Sequence, residues 1–142
     1  MVAPIIIYRP KLIIQPLDAA GADSGPTVDV SCDVSSVELS PDIPLTTVTT
    51  FCGAFSTPGE LEVTATIEFT INADTDDNWS ALVGDSVEMR VYDREDSTEY
   101  RKFTSQVGIN PSLYGPTTPG EARTFSVDFP VLSEVEWEAE PT

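Results

Sequence analysis

The chain has 142 residues, 24 of them acidic and 7 basic, with no histidine, so its formal net charge at pH 7 is −17. This length suggests one domain built around one hydrophobic core. A chain so acidic repels phosphate backbones, which excludes the usual kind of nucleic-acid-binding protein.

Residues 1–27 begin with two short apolar runs that Pro4, Pro10 and Pro16 interrupt. The segment lacks the continuous apolar stretch and cleavage site of a signal peptide, and the roughly 20 apolar residues of a membrane span. We therefore expect an extended N-terminal arm over residues 1–27 and no membrane anchor.

The next segment alternates strictly between apolar and polar residues, which predicts a strand with one buried face. Val28, Val30 and Val34 would face the core, and Asp29 and Asp33 would point the other way. These two carboxylates are unusual because the chain has no Lys or Arg between residues 12 and 89 to pair with them.

Loop-forming residues follow at Ser40–Pro44 and again at 56–60, with a run rich in β-branched residues, 46–52, between them. A hairpin turn centred on Asp42 would place Cys32 opposite Cys52, close enough for a disulfide. A reducing compartment would instead keep both thiols free.

The clearest strand covers residues 61–71, where apolar and polar residues alternate over the whole length. Its apolar face carries Leu61, Val63, Ala65, Ile67, Phe69 and Ile71. Its polar face carries Glu62, Thr64, Thr66, Glu68 and Thr70.

One short helix is predicted over residues 74–85. Acidic residues suit its N-terminus, Trp79 and Leu82 have the spacing of a buried face, and Gly84 ends it. The acids also resemble the start of a calcium loop, but Trp79 stands where that loop needs glycine, so we expect no metal site.

Three further strands are predicted over residues 85–93, 100–109 and 124–132, with a proline-rich loop at 110–122 and an acidic tail from residue 134. Together these elements predict a mainly-β fold: a β-sandwich or barrel-like domain over residues 28–142, with one short flanking helix and an extended N-terminal arm.

Catalytic signatures are missing from the sequence. There is no histidine to act as general base and no glycine-rich phosphate loop, so we expect no enzyme and no cofactor. A strand-rich, acidic, non-catalytic module with apolar arms is typical of a binding domain or of a building block in an assembly.

The segment "VDVSCDVSSVELSPDIPLTTVTTFCG" (Val28 to Gly53) resembles the N-terminal region of tail tube proteins of long, flexible-tailed bacteriophages. The likeness lies in a strand of the type V-x-C-x-V-x-x-V, a polar loop and a later T-F-C. The Pro-Gly turn, the long strand, the helix with Trp and Leu, and the remaining strands follow the same plan. The resemblance extends roughly from Val28 to Val135.

This resemblance implies a tail tube fold in a structural virion protein. Six copies would form a ring, each giving four strands to an inner barrel of twenty-four, with the helix outside that sheet. Rings would stack into the tail tube, which conducts double-stranded DNA to the host during ejection without holding it. The subunit would be assembled in the host cytoplasm, and other phage tail proteins would bind the two tube ends.

Two sets of residues then acquire roles. The candidate lumen-facing residues are Asp29, Asp33, Glu62, Thr64, Thr66 and Glu68. The candidate inter-ring arm residues are Ile5, Ile6, Ile7, Leu12, Ile13 and Ile14. The alternatives are a capsid decoration protein and a secreted or surface β-sandwich binding module.

Overall fold

The computed structural model describes residues 9–140. Strands hold 51% of the residues and helices 9%, so the predicted mainly-β fold class is confirmed. In chain order the elements are β1 Lys11–Pro16, β2 Val28–Asp29, β3 Val34–Asp42, β4 Leu45–Thr50, β5 Gly53–Pro58, β6 Glu62–Thr70, α1 Thr75–Ser80, β7 Ser86–Tyr92, β8 Glu99–Gln106, β9 Thr124–Pro130 and β10 Glu136–Ala139.

The strands form three antiparallel sheets. Five are arranged β10-β8-β7-β1-β2, three are arranged β3-β6-β9, and β4 pairs with β5 alone. The inner faces of the two larger sheets share one core, which is closed at one side by Trp79 and Leu82. The Phe69 ring meets the Trp79 ring edge-on at 5.1 Å between centroids, an arrangement that aromatic pairs favour.

The prediction of an N-terminal arm is wrong for residues 11–16, which form β1 inside the five-stranded sheet and pair with β7. Pro10 lies just before this strand and Pro16 is its last residue, so neither proline interrupts its pairing. Leu12 and Ile14 point into the core of their own chain and are buried, and Ile13, on the outer face, is half-buried. Ile5, Ile6 and Ile7 lie outside the described residues.

The predicted strand from Val28 is broken. After β2 the residues Ser31–Asp33 form a single 3-10 turn, and the chain then crosses into the other sheet as β3. Asp29 Oδ1 accepts hydrogen bonds from the Ser31 amide at 3.0 Å and from the Ser31 hydroxyl at 2.6 Å. Such local bonds compete with the strand ladder and account for the turn.

The hairpin turn lies at Phe51 and Cys52, not at Asp42. β3 continues through Asp42 in register with Glu62, and β4 continues opposite β5 with Thr50 facing Gly53. The Gly59 amide donates to the Pro44 carbonyl at 2.6 Å and joins the two paired segments into one long ribbon. The predicted placement of Cys32 opposite Cys52 is therefore wrong. Both thiols are free, as a reducing compartment would keep them, and both are exposed.

The C-terminal segment is also more ordered than the predicted acidic tail. Residues 136–139 form β10, the edge strand that pairs with β8. Lys102 Nζ lies 2.7 Å from Glu138 Oε2, so a cation on β8 compensates an acid on β10. Within residues 9–140, no helix combines the length and the apolar character needed to cross a bilayer.

Candidate functional site

One face of the three-stranded sheet is polar except for a proline at its end. The register of β3, β6 and β9 places these side chains on the side away from the core: Ser36, Glu38, Ser40, Asp42, Glu62, Thr64, Thr66, Glu68, Thr70, Thr124, Ser126, Asp128 and Pro130. We call this surface the acidic face. It carries five carboxylates and neither Lys nor Arg.

Hydroxyl groups separate most of the carboxylates on the acidic face. Thr66 stands between Glu38 and Asp128 in register, and its hydroxyl donates to Asp128 Oδ1 at 2.8 Å. Glu68 accepts a hydrogen bond from the Ser35 hydroxyl at 3.3 Å. Interleaved hydroxyls reduce the cross-strand repulsion that directly opposed like charges would cause.

Two acids on this face have no hydroxyl group between them. Asp42 and Glu62 are directly opposed at the end of the sheet where the ribbon leaves the body, and both are exposed. Like charges in this position are destabilising, so water and salt must screen them.

Four of the six predicted lumen-facing residues lie together on the acidic face: Glu62, Thr64, Thr66 and Glu68. Asp29 does not, because it belongs to β2 in the other sheet, where it is exposed and holds the Ser31 turn. The sequence could not show that Asp29 and Glu62 belong to different sheets, since apolar and polar residues alternate in the same way in both segments.

Asp33 is misplaced by the prediction in a different way, because its carboxylate is fully buried. It accepts three side-chain hydrogen bonds: Asn72 Nδ2 at 2.8 Å, Thr75 Oγ1 at 3.0 Å and Asn78 Nδ2 at 2.8 Å. A buried carboxylate is tolerable only with such partners. Asp33 therefore fastens the start of α1 to the body and cannot face a lumen.

The outer face of the five-stranded sheet has the opposite character. Arg90 lies 2.9 Å from Glu88, and Lys11 Nζ lies 4.1 Å from the centre of the Tyr92 ring. Lys102 donates to Glu138, and this bond lowers the pKa of that carboxyl below its usual range. Cations thus compensate acids on this side, whereas the acidic face has neither Lys nor Arg.

The sheet that carries the acidic face has two open edges. Among the described residues, β3 and β9 each pair only with β6, which lies between them. An unpaired edge offers a row of amide and carbonyl groups to another strand. The sheet has three strands, one fewer than the resemblance implies for each copy.

No group of three or more His, Cys, Asp or Glu side chains in the described part of the chain is arranged to hold a metal ion. No protein-family model matches the chain, and no curated protein matches its sequence.

Proposed function

We propose that the chain is a structural subunit of a bacteriophage tail tube, with no enzymatic role. Copies of the chain form six-membered rings, and the rings stack into a tube that conducts double-stranded DNA to the host. The observation that carries this proposal is the acidic face: an uncompensated polar surface on a sheet whose two edges are open.

The open edges of the three-stranded sheet give copies of the chain a way to close into a ring. When β3 of one copy pairs with β9 of the next, the small sheets join into one continuous inner sheet. A closed ring leaves no free edge, and closure alone truly removes the hazard of edge-to-edge aggregation. The inner faces are already occupied by the core of each subunit, so the acidic face is the surface that turns toward the channel.

The charge of the acidic face suits the passage of DNA. Its five carboxylates per copy repel phosphates at short range, since screening limits each charge to about 8 Å at physiological salt. A narrow wall on which these fields overlap keeps DNA from sticking. Threonine and serine between the acids add no large side chains on which DNA could catch.

In the virion the tube lies in the tail, after assembly in the host cytoplasm, and other tail proteins cap its two ends. Electron microscopy of the purified protein tests the proposal, together with the mass of the particles over a range of concentrations. Rings or tubes with a central channel are the expected result. Compact monomers would support the secreted binding module, and trimers the capsid decoration protein; either outcome contradicts the tail tube.

A further inference from the structure

The outer half of the long ribbon contains no charged residue. From Ile43 to Gly59 the sequence has neither acid nor base, although the whole chain has a net charge of −17. This segment contains β4, β5 and the turn between them, and every residue in it is exposed. We call it the hairpin. Its strands extend about 20 Å beyond the body at 3.4 Å per residue.

The hairpin also exposes many apolar side chains. Five of the large exposed hydrophobic residues of the described chain belong to it: Ile43, Leu45, Val48, Phe51 and Phe55. Phe51, at the turn, is 112% exposed, so its ring touches almost nothing in its own chain. An isolated two-stranded hairpin is marginal in water, and an apolar surface of this kind marks an interaction site.

An apolar cleft lies at the other end of the same ribbon, between β3 and the β1 and β7 strands. It measures about 200 Å³, and its apolar walls include Leu12, Val34, Val37 and Val91. A cavity of about 150 Å³ is enough for a benzene ring, so the cleft has room for one phenyl group. We call it the end cleft.

We propose that Phe51 at the hairpin tip inserts into the end cleft of a second copy of this chain. The inference deepens the proposed function, on which it rests, by naming the two surfaces through which successive copies bind along the tube. The tip cannot serve its own cleft, because the extended chain from Val34 to Thr50 separates them by roughly 50 Å at 3.3 Å per residue.

Charge favours a second copy as the occupant. Two chains of charge −17 repel each other, and an uncharged hairpin is a part that approaches another copy at little electrostatic cost. Two of the seven basic residues, Lys11 and Arg101, lie at the end cleft. Asp93 also lines it and pairs with Arg101 at 3.1 Å, which leaves the charge of Lys11 in excess. A membrane is the less favoured occupant, since the acidic body is repelled by anionic lipid surfaces.

The two cysteines supply a probe for this contact in the unmodified protein. Cys52 follows Phe51 at the tip and is exposed. Cys32 is exposed as well and lies between Ser31 and Val34, which both line the end cleft. Docking of the tip therefore brings Cys52 of one copy close to Cys32 of the next.

Cross-linking with a short bismaleimide, under conditions that keep thiols reduced, tests the contact. We expect a ladder of covalent multimers from the natural protein. Cys32→Ser and Cys52→Ser should each abolish the ladder, and an equal mixture of the two variants should give dimers only. A cross-link that persists in Cys32→Ser joins two tips, and that result overturns the proposal.

Substitution of Phe51 tests whether its phenyl ring makes the contact. Phe51→Ser should reduce the cross-linking yield at least tenfold without changing the melting temperature, because Phe51 has no contacts to lose. Leu113→Ser, which removes another apolar side chain that is 69% exposed, is the matched control and should leave the yield unchanged. Pro10→Trp, which places a bulky ring at the rim of the end cleft, should act like Phe51→Ser.

Equal cross-linking yields from Phe51→Ser and the natural protein would refute the insertion. A second result would also refute it: the natural protein gives no cross-link but floats with neutral lipid vesicles, and Phe51→Ser does not float. The outcome is separable from that of the proposed function. Cross-linked multimers without rings or tubes would refute the tail tube alone. Normal tubes from both Phe51→Ser and Pro10→Trp would refute the tip contact alone.

Discussion

Asp33 fastens helix α1 without the help of a cation. Both of its oxygens accept hydrogen bonds, Oδ1 from Asn72 and Thr75 and Oδ2 from Asn78. Hydrogen bonds to a charged group are worth about 1.5–3 kcal/mol each, while an unsatisfied buried donor costs about 1–3 kcal/mol. The free energy that depends on this one side chain is therefore a large fraction of the stability of a small domain.

We predict that Asp33→Ala lowers the free energy of unfolding by at least about 2 kcal/mol, because buried Thr75, half-buried Asn78 and exposed Asn72 all lose their acceptor. Asp33→Asn should cost less, since its oxygen can still accept and Asn78 can turn its amide to offer an oxygen. Urea unfolding measures the difference. Asp77→Ala, an exposed acid of the same helix, is the control, and an equal loss in both alanine variants would contradict the assignment.

At the scale of elements, alternation over eleven residues is a reliable guide to a strand, whereas the shorter alternation from Val28 and the positions of prolines are not. β6 lies where eleven alternating residues predict it, with Ala65, Ile67 and Phe69 buried. β1 was missed because the prolines around it suggested an arm, and a sequence does not show that Pro10 and Pro16 fall at strand ends. The Ser31–Asp33 turn was missed because its cause, the Asp29 side chain bond to the Ser31 backbone, is invisible in an alternating pattern.

The hairpin turn was misplaced for a related reason. Pro41 and Pro58 suggested loops, yet each lies in a strand, in β3 and β5. Both strands are at the edge of their sheets, where proline is tolerated because an outward position needs no amide donor. Turn chemistry alone therefore could not locate the turn at Phe51 and Cys52.

Shortening the hairpin should leave the body intact. We predict that replacing residues 45–58 with Asn-Gly, a sequence suited to a two-residue turn, changes the melting temperature by less than about 3 °C, because the removed residues are all exposed and pair only with each other. The Gly59 amide can still donate to the Pro44 carbonyl and close the turn. Differential scanning calorimetry measures this change. A cooperative loss of the fold would mean that the hairpin is part of the core structure.

The attachment of β10 should depend on pH. The bond from Lys102 lowers the pKa of Glu138 below its ordinary value of 4.5, so the stabilisation is fully present above pH 4.5 and is lost as the pH falls through the lowered value. We predict that the indole signal of Trp137, which lies on β10, shifts in NMR spectra over that acidic range. In Glu138→Gln the shift over that range should be absent; an unchanged titration would locate the cause elsewhere.

At the scale of the whole molecule, charge divides the protein into two unlike sides. The acids of the five-stranded sheet have partners such as Arg90 and Lys102, whereas those of the acidic face have hydroxyl groups and water. The fold class and the shared face of Glu62, Thr64, Thr66 and Glu68 could be predicted from alternation. The sheet that each alternating strand joins could not be predicted, because it depends on pairing between residues far apart in the sequence.

We predict that the natural protein does not bind double-stranded DNA and that replacing Glu38, Glu68 and Asp128 with lysine produces such binding. The affinity should fall steeply with salt, as phosphate contacts require. Gel-shift measurements at 50 and 200 mM salt test this expectation. Asp77, Asp96 and Glu121, exposed acids outside the acidic face, give a control with the same change in net charge once replaced by lysine.

Equal DNA binding by both triple variants would show that only net charge matters. In assembled tails, the first variant should slow the release of DNA while the control variant releases it at the normal rate. Normal release from both would contradict a channel lined by the acidic face.

The hairpin and the end cleft lie at opposite ends of one ribbon, so a contact between them gives an assembly a direction. Such a head-to-tail contact has no intrinsic length limit unless its rotation closes the copies into a ring. One terminus of every stack displays bare Phe51 tips, and the other displays empty clefts. The two termini are chemically different, so a factor that stops growth at one of them cannot recognise the other. A factor that binds the terminus with bare tips must cover exposed aromatic rings, and a factor that binds the terminus with empty clefts must supply an aromatic ring.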